Sequence, residues 1–367
     1  MLSAVTTHRR FLHQIPELGF DLSQTIMLVT GVLRGYRCDY FSPLPGCVYA
    51  WFDFGKDETV AVRADMDGLP VEEATGLPYS SRNPGRMHAC GHDGHTAMAL
   101  DLCQWLSERP SGLARNVLVI FQPSEETAEG AKQVCEAGLL QRYHVTRVFG
   151  MHLWPGVPKA TIVTRPGPMM SRSSDVNVSV RGRSVHLSRV EEEGQDALAA
   201  AAEFIMRTYS MLESVPRPRV LRFGKMNSGV VRNAVSGGAA LEGSMRTYSE
   251  ETYQECKRIL ERTADAVGAS TRCAFQVSVG GGCPAVWNNE ELYEAVRKGL
   301  GDDAPGLLEE PVMASEDFSY YQKEVPGVFF FLGTGDTPEI HAPNFDFDDE
   351  AILPVGAAFW RRVVQLP

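Results

Sequence analysis

The sequence predicts an α/β protein with a mostly parallel sheet, into which a smaller α+β domain is inserted. Two observations carry that expectation. Short, wholly apolar runs alternate with helix-length segments in the first part of the chain. The pattern then changes after the Pro- and Gly-rich stretch 165–168 (RPGP) and reverts after 280–284 (GGGCP). The 367 residues suit two domains.

Taken in order, residues 60–63 read as a buried strand, 96–106 as a helix and 117–121 as a second buried strand. A helix over 128–140 and a third strand over 145–151 continue the alternation, and sheets of this kind bind ligands outside the carboxyl ends of their strands. Beyond residue 168, Val176, Val178 and Val180 alternate with polar residues, as in a half-exposed strand. There follow a helix (195–209), strands (219–225 and 239–245), a helix (251–267) and a strand (272–279). That order, β-α-β-β-α-β, is the split arrangement of ferredoxin-like domains. From Glu290 the chain returns to α/β character, with an apolar strand at 328–332 and a last helix at 352–364. The expected division is a discontinuous domain of residues 1–170 and 281–367, with 171–280 as the insert.

Hydrophobic residues make up 44% and charged residues 22%, an ordinary balance with material for a core. A net charge of −11 argues against nucleic acid as a partner, because phosphate binding needs clustered Lys and Arg. It leaves room for a small anion held by one local Arg. No run of about 18 apolar residues indicates a membrane span, and residues 1–20 lack the apolar core of a signal peptide. The eight cysteines are scattered without a paired framework, so reduced thiols and a cytoplasmic location are expected.

Residues 88–95 (HACGHDGH) pack three His, one Cys and one Asp just before a helix. Imidazole and thiolate are preferred ligands of zinc and similar ions, and Gly91 and Gly94 let neighbouring side chains converge. Neither a second CxxC or HxxxH pair nor a deaminase HxE and PCxxC accompanies the run, so it indicates metal without naming a reaction. Directly after a buried strand comes 121–126 (FQPSEE). Glu125 and Glu126 cannot both point one way on extended chain, so one can bind metal while the other faces substrate as a general base. The pair fits a solvated acidic helix start equally well. A second strand end, 149–152 (FGMH), follows one βαβ spacing later and shifts the reading toward a site.

Several stretches together resemble the aminoacylase and hippurate hydrolase type of metallopeptidase, in the branch that contains the auxin-conjugate amidohydrolases. They are 9–17 (RRFLHQIPE), 63–70 (RADMDGLP), 88–96 (HACGHDGHT), 121–126 (FQPSEE), 150–152 (GMH), 313–318 (MASEDF) and 341–345 (HAPNF). They span nearly the whole chain, in the family's order. The resemblance implies a zinc-peptidase-like catalytic domain with a lid or dimerisation domain, a homodimer, and two divalent ions (Zn, Mn, Co or Ni) per subunit. Carried over position by position, the implied ligands are Cys90, His92, Glu126, His152 and His341. Glu125 matches the catalytic acid/base, and Asp67 matches a carboxylate that orients a ligand imidazole, as metal-binding histidines generally require. Asp65 stands where the wider superfamily has a ligand His, which leaves its role open; His88 and His95 are implied supports.

In the lid, His186 resembles the histidine that stabilises the oxyanion, often in the partner subunit's site. Asn233 and Arg246 match positions that bind the substrate's carbonyl and free carboxylate. Many relatives carry a GGHGA(x)PH-like run where this chain has 182–198 (GRSVHLSRVEEEGQDAL), which bears on substrate identity more than on reaction type. The implied reaction is deacylation of N-acyl amino acids through metal-activated water. One alternative is dipeptide hydrolysis, with the acidic run at 191–193 meeting a substrate amine. Another is a non-catalytic dimeric binding protein, which predicts loss of a ligand or of Glu125.

Overall fold

The computed structural model describes residues 2–189, 194–217 and 219–367. The chain divides into two compact units. One comprises Met1–Met169, Val286–Pro311 and Glu316–Pro367; the other comprises Met170–Ala285 and Val312–Ser315.

The first unit is organised by an eight-stranded sheet. Its strands are β1 (Asp39–Phe41), β2 (Val48–Phe52), β3 (Thr59–Asp65), β4 (Asn116–Gln122), β5 (Val145–Pro155), β6 (Ile162–Thr164), β13 (Gly306–Leu307) and β14 (Gly327–Gly335). They lie in the order β1-β2-β4-β3-β5-β14-β6-β13. The centre, β4-β3-β5-β14, is parallel throughout, and β2 and β6 join it antiparallel on either side. The reason is visible in the residues. Both β3 and β4 are buried along their whole length, as strands covered on two faces must be.

Three helices matter to the site: α1 (Ala4–His13), α2 (Ser23–Leu33) and α3 (His92–Ser107). The expected helix at 96–106 begins four residues earlier, inside the HDGH run, because Gly91 supplies a left-handed N-cap at φ +83°. Every residue from His92 to Cys103 is buried, and α3 packs against α1 and the C-terminal helix Asp349–Val363. A Cβ at Gly94 would meet the Leu153 side chain at 2.8 Å, so glycine lets α3 lie against β5 without displacing that side chain. The expected helix at 128–140 is broken into Gly130–Glu136 and Leu139–Arg142 by Gly138 at φ +68°.

The second unit is a four-stranded antiparallel sheet of β8 (Arg172–Arg181), β9 (Arg219–Ser228), β10 (Gly238–Thr247) and β11 (Ala274–Gly280). Its order, β11-β8-β10-β9, together with helices Ala197–Leu212 and Glu250–Thr271, is the ferredoxin-like arrangement. Val176, Val178 and Val180 are buried and their polar neighbours are not, which gives the sheet one helix-covered face. The stretch 165–168 is less of a linker than its composition predicts. Gly167–Met170 forms β7, paired with β12 (Val286–Asn288). No helix among the described residues is long and apolar enough to cross a membrane.

Candidate metal centre

Four chain segments converge at the carboxyl ends of the parallel strands. Asp67 follows β3, Glu125 and Glu126 follow β4, His152 lies near the end of β5, and His341 follows β14. The loop before α3 and the first residue of that helix bring Cys90 and His92 to the same place, and the His341 N–H donates to the Ala89 carbonyl at 2.7 Å, tying the two loops together. His341 and Ser124 hold positive φ angles of 69° and 58°, which cost a residue with a side chain roughly 1–3 kcal/mol and cluster where geometry serves a site.

Cys90 sits at the centre. Its Sγ lies 3.3 Å from His152 Nε2 and 3.3 Å from His341 Nε2. His341 Nε2 is in turn 3.5 Å from Glu126, and His92 Nε2 lies 3.8 Å from Glu125 and 3.9 Å from Glu126. Two of the rings are fixed by carbonyl oxygens, which only accept. His92 Nδ1 donates to the Asp67 carbonyl at 2.8 Å and His152 Nδ1 to the Leu153 carbonyl at 2.6 Å. In both, Nε2 is therefore the nitrogen presented to the cluster.

Donor chemistry and electrostatics both fit a divalent ion. His92 Nε2 and Glu126 Oε1 are buried with no hydrogen-bond partner among the described residues, an uncommon state that a ligand relieves. Burial, reinforced by Glu126 and Glu125, pushes the Cys90 thiol well above its ordinary range. Burial also lifts the Glu126 carboxyl to about 7, against the pull of His92. For His92 burial acts downward, but Asp65 and Asp67 outweigh it and raise the ring to about 10. This is a surplus of acidic groups around a mostly buried cluster that is exposed at His341, and sulfur, imidazole and carboxylate are the donors that zinc-like ions take. The groupings Cys90, His92, His152 and Cys90, Glu126, His341 each bring three donor atoms within 4.8 Å of one another.

A family model described as peptidase family M20/M25/M40 matches residues 61–366. The chain is a member of the M20/M25/M40 peptidase family. An N-acetyldiaminopimelate deacetylase of Lacticaseibacillus paracasei is 32% identical over 363 residues, covering 95% of this chain and 94% of the relative. An N-acetylcysteine deacetylase of Bacillus subtilis is 32% identical over 360 residues, covering 96% and 93%. A solved dinuclear metal-binding peptidase of the M20 family, also from Bacillus subtilis, superposes with a TM-score of 0.87 at 31% identity, covering 98% of this chain and 96% of that one.

In this M20 family member, Asp67 lies beside an imidazole and also holds backbone. Its two carboxylate oxygens accept the backbone N–H groups of Glu125 (3.1 Å) and Glu126 (3.2 Å), while Oδ1 lies 3.3 Å from His92 Nδ1. One side chain thus fixes both glutamates and one imidazole. His88 is buried with neither ring nitrogen bonded among the described residues, and burial lowers it to about 4.

Arg9, Arg63 and Asp93 belong to the runs 9–17, 63–70 and 88–96, yet nothing in those runs by themselves shows what the three side chains do. Arg9 is buried and donates to Asp93 (2.8 Å), Asp346 (2.8 Å) and Asp349 (3.2 Å), with its guanidinium 4.4 Å from the Phe347 ring. Asp93 also accepts from His13 at 2.7 Å. The start of α3 is thereby tied to α1 and to the segment that follows His341. A buried Arg among carboxylates has no periodicity or spacing that announces it, and in α1 Arg9 stands beside Thr7, His8, Arg10 and His13, so its charge does not single it out.

The lid residues lie in the second unit. His186 bridges to Ala234, the Leu187 N–H donates to the Asn233 carbonyl, and the His186 and Asn233 side chains are exposed. Arg246 lies on β10 opposite Ser173 and Val220. The run at 191–193 falls outside the described residues.

Proposed function

We propose that the chain hydrolyses the amide bond of N-acyl amino acids, releasing a carboxylic acid and a free amino acid, at a two-ion centre held by Cys90, His92, Glu126, His152 and His341. The observation that carries this reading is the convergence of those five donors beside a sixth group, Glu125, that faces the same cleft. The deacetylase relatives support an acylated amine as substrate, and their differing amino acids, diaminopimelate and cysteine, leave the amino-acid side chain open.

Divalent ions bound there would polarise the scissile carbonyl and make water acidic enough to attack near neutral pH. The remaining work falls to the protein. Burial, with Glu316, Glu126 and Asp317 close by and Arg63 opposing, holds the Glu125 carboxyl well above its ordinary range. In its ionised form a carboxylate of such raised basicity accepts a proton from the attacking water and returns it to the departing amine. Asp67 keeps Glu125 in place through its backbone N–H. In this reading His186 donates to the oxyanion, Asn233 to the substrate carbonyl, and Arg246 grips the α-carboxylate as a planar charge-assisted donor.

The lid geometry supports a homodimer. The antiparallel register pairs Arg181 with Gly238 at one end of β10 and Ser173 with Arg246 at the other. Eight residue steps at ~3.3 Å separate those ends, roughly 26 Å, and His186 and Asn233 lie beyond the Gly238 end. One small substrate cannot touch both groups of a single lid. Arg246 of one chain and His186 with Asn233 of the partner subunit can meet at one substrate.

The test is a panel of N-acetyl, N-benzoyl and longer N-acyl amino acids alongside dipeptides, assayed for amine release with Zn, Mn, Co and Ni. Release from N-acyl amino acids is expected. Cleavage of dipeptides with none of any N-acyl amino acid would replace this reading with a dipeptidase.

A further inference from the structure

Behind the donor cluster lies a buried chain of charged groups whose hydrogen bonds reach the backbone beside a ligand. The His95 ring makes two hydrogen bonds: Nδ1 lies 2.6 Å from Asp65 Oδ1, and Nε2 accepts the Leu153 N–H at 2.9 Å. A backbone N–H can only donate, so Nε2 carries the lone pair and Nδ1 carries the proton given to Asp65. Both nitrogens are committed. Asp65, His92 and His95 lie close enough to hold an ion, but His95 has no lone pair left for one.

Asp65 is held from its other side. Oδ2 accepts from Arg63 Nη1 at 2.5 Å, and its carbonyl accepts the Thr96 hydroxyl at 2.7 Å. The Arg63 guanidinium is saturated, with further bonds to Gln122 (2.8 Å), Glu316 (2.9 Å) and Asp317 (2.7 Å). Arg63, Asp65, Glu316 and Asp317 are all at most 1% exposed. Well-packed apolar side chains would fill such a space at no greater cost than buried ions, so a fully bonded ionic cluster is better explained by the geometry it fixes.

What it fixes is one residue. Leu153 directly follows His152, its N–H is held by His95, and its carbonyl is held by the His152 ring itself. The geometry points to Arg63, Asp65 and His95 as positioning residues that lock the backbone at Leu153 and so aim His152 Nε2 at Cys90, which would set the affinity of the metal centre. This also supplies a role for Asp65, a carboxylate at a place where the wider superfamily has an imidazole ligand. The inference rests on the metal-centre reading above.

The test titrates Zn²⁺ into the metal-free full chain, comparing wild type with His95→Asn and Asp65→Asn, and follows amide exchange at Leu153 and along Gly238–Thr247. Outer partners of ligand histidines typically contribute 10–100-fold to metal affinity. The inference expects a loss of about that size in each variant, faster exchange at Leu153, and unchanged exchange in the lid strand. Variants that bind two ions with wild-type affinity would overturn it. So would failure of both variants to fold, which would make the cluster a support of the fold rather than an aim for His152. If only one variant folds, the same two readouts decide on that one. A wild type that binds no Zn²⁺ would instead sink the metal-centre reading, and this inference with it.

Discussion

The Asp67 carboxylate accepts the backbone N–H of Glu125 at 3.1 Å while lying 3.3 Å from the His92 ring. The group proposed to move protons and a group proposed to hold metal therefore share one anchor. An amide at that position would present an NH₂ to one of two backbone N–H donors. We expect Asp67→Asn to lower kcat/KM by roughly 10–100-fold, the usual effect of losing an outer partner of a metal histidine, together with weaker metal binding. Steady-state kinetics beside metal analysis of the purified variant would check it. Unchanged values for both would leave Asp67 without the assigned role.

Arg9 is the fold's counterpart to that anchor. Its side chain is 1% exposed, and Asp93, at 0%, keeps among the described residues only His13 as an ion-pair partner without it. Removing one member of a buried ion pair costs about 3–5 kcal/mol because the other charge stays buried. Arg9→Met should lose about that much in urea unfolding. A loss under about 1 kcal/mol would mean that Asp93 is solvated or neutralised in another way.

The same network predicts a pH profile for stability. His13 faces Asp93, Glu73 and Arg9, with the His88 and Tyr79 rings beside it. Burial acts downward on His13, but Asp93 and Glu73 outweigh it and raise its pKa, so its contribution is complete below its ordinary 6.5 and lost as pH rises through the elevated folded value. Burial acts upward on Glu73, but hydrogen bonds from His13, Thr75 and the Ser81 N–H hold it at about 2. Its contribution is complete above its ordinary 4.5 and lost as pH falls toward about 2. Between pH 4.5 and 6.5 both contributions are present. Chemical denaturation at pH 3, 4 and 6 should show wild type losing more stability on acidification than Glu73→Gln. Parallel curves would contradict the assignment.

Much of this was legible in the residues. The apolar runs that became β3 and β4 and the alternating valines of β8 predicted both sheets, because burial on two faces or on one writes a distinct pattern. The donors were legible as runs, HACGHDGH and FQPSEE, since local spacing records local chemistry. The connections between runs were not. That Arg63 would reach Glu316, or His95 the Leu153 N–H, depends on strand order and on the approach permitted by Gly94, neither of which has a local signature. The start of α3 was misplaced for a related reason. A polar HDGH run reads as loop until tertiary contacts bury it, and Gly91 then caps the helix inside the motif.

The central claim is that Glu125 moves the proton while other groups hold the metal. The most direct measurement is turnover of an N-acetyl amino acid by Glu125→Gln, with bound metal counted in the same preparation. The predicted result is a fall in kcat of roughly 10²–10⁴-fold, the usual worth of a positioned acid/base, with about two ions per chain retained. Near-wild-type turnover with both ions in place would contradict it.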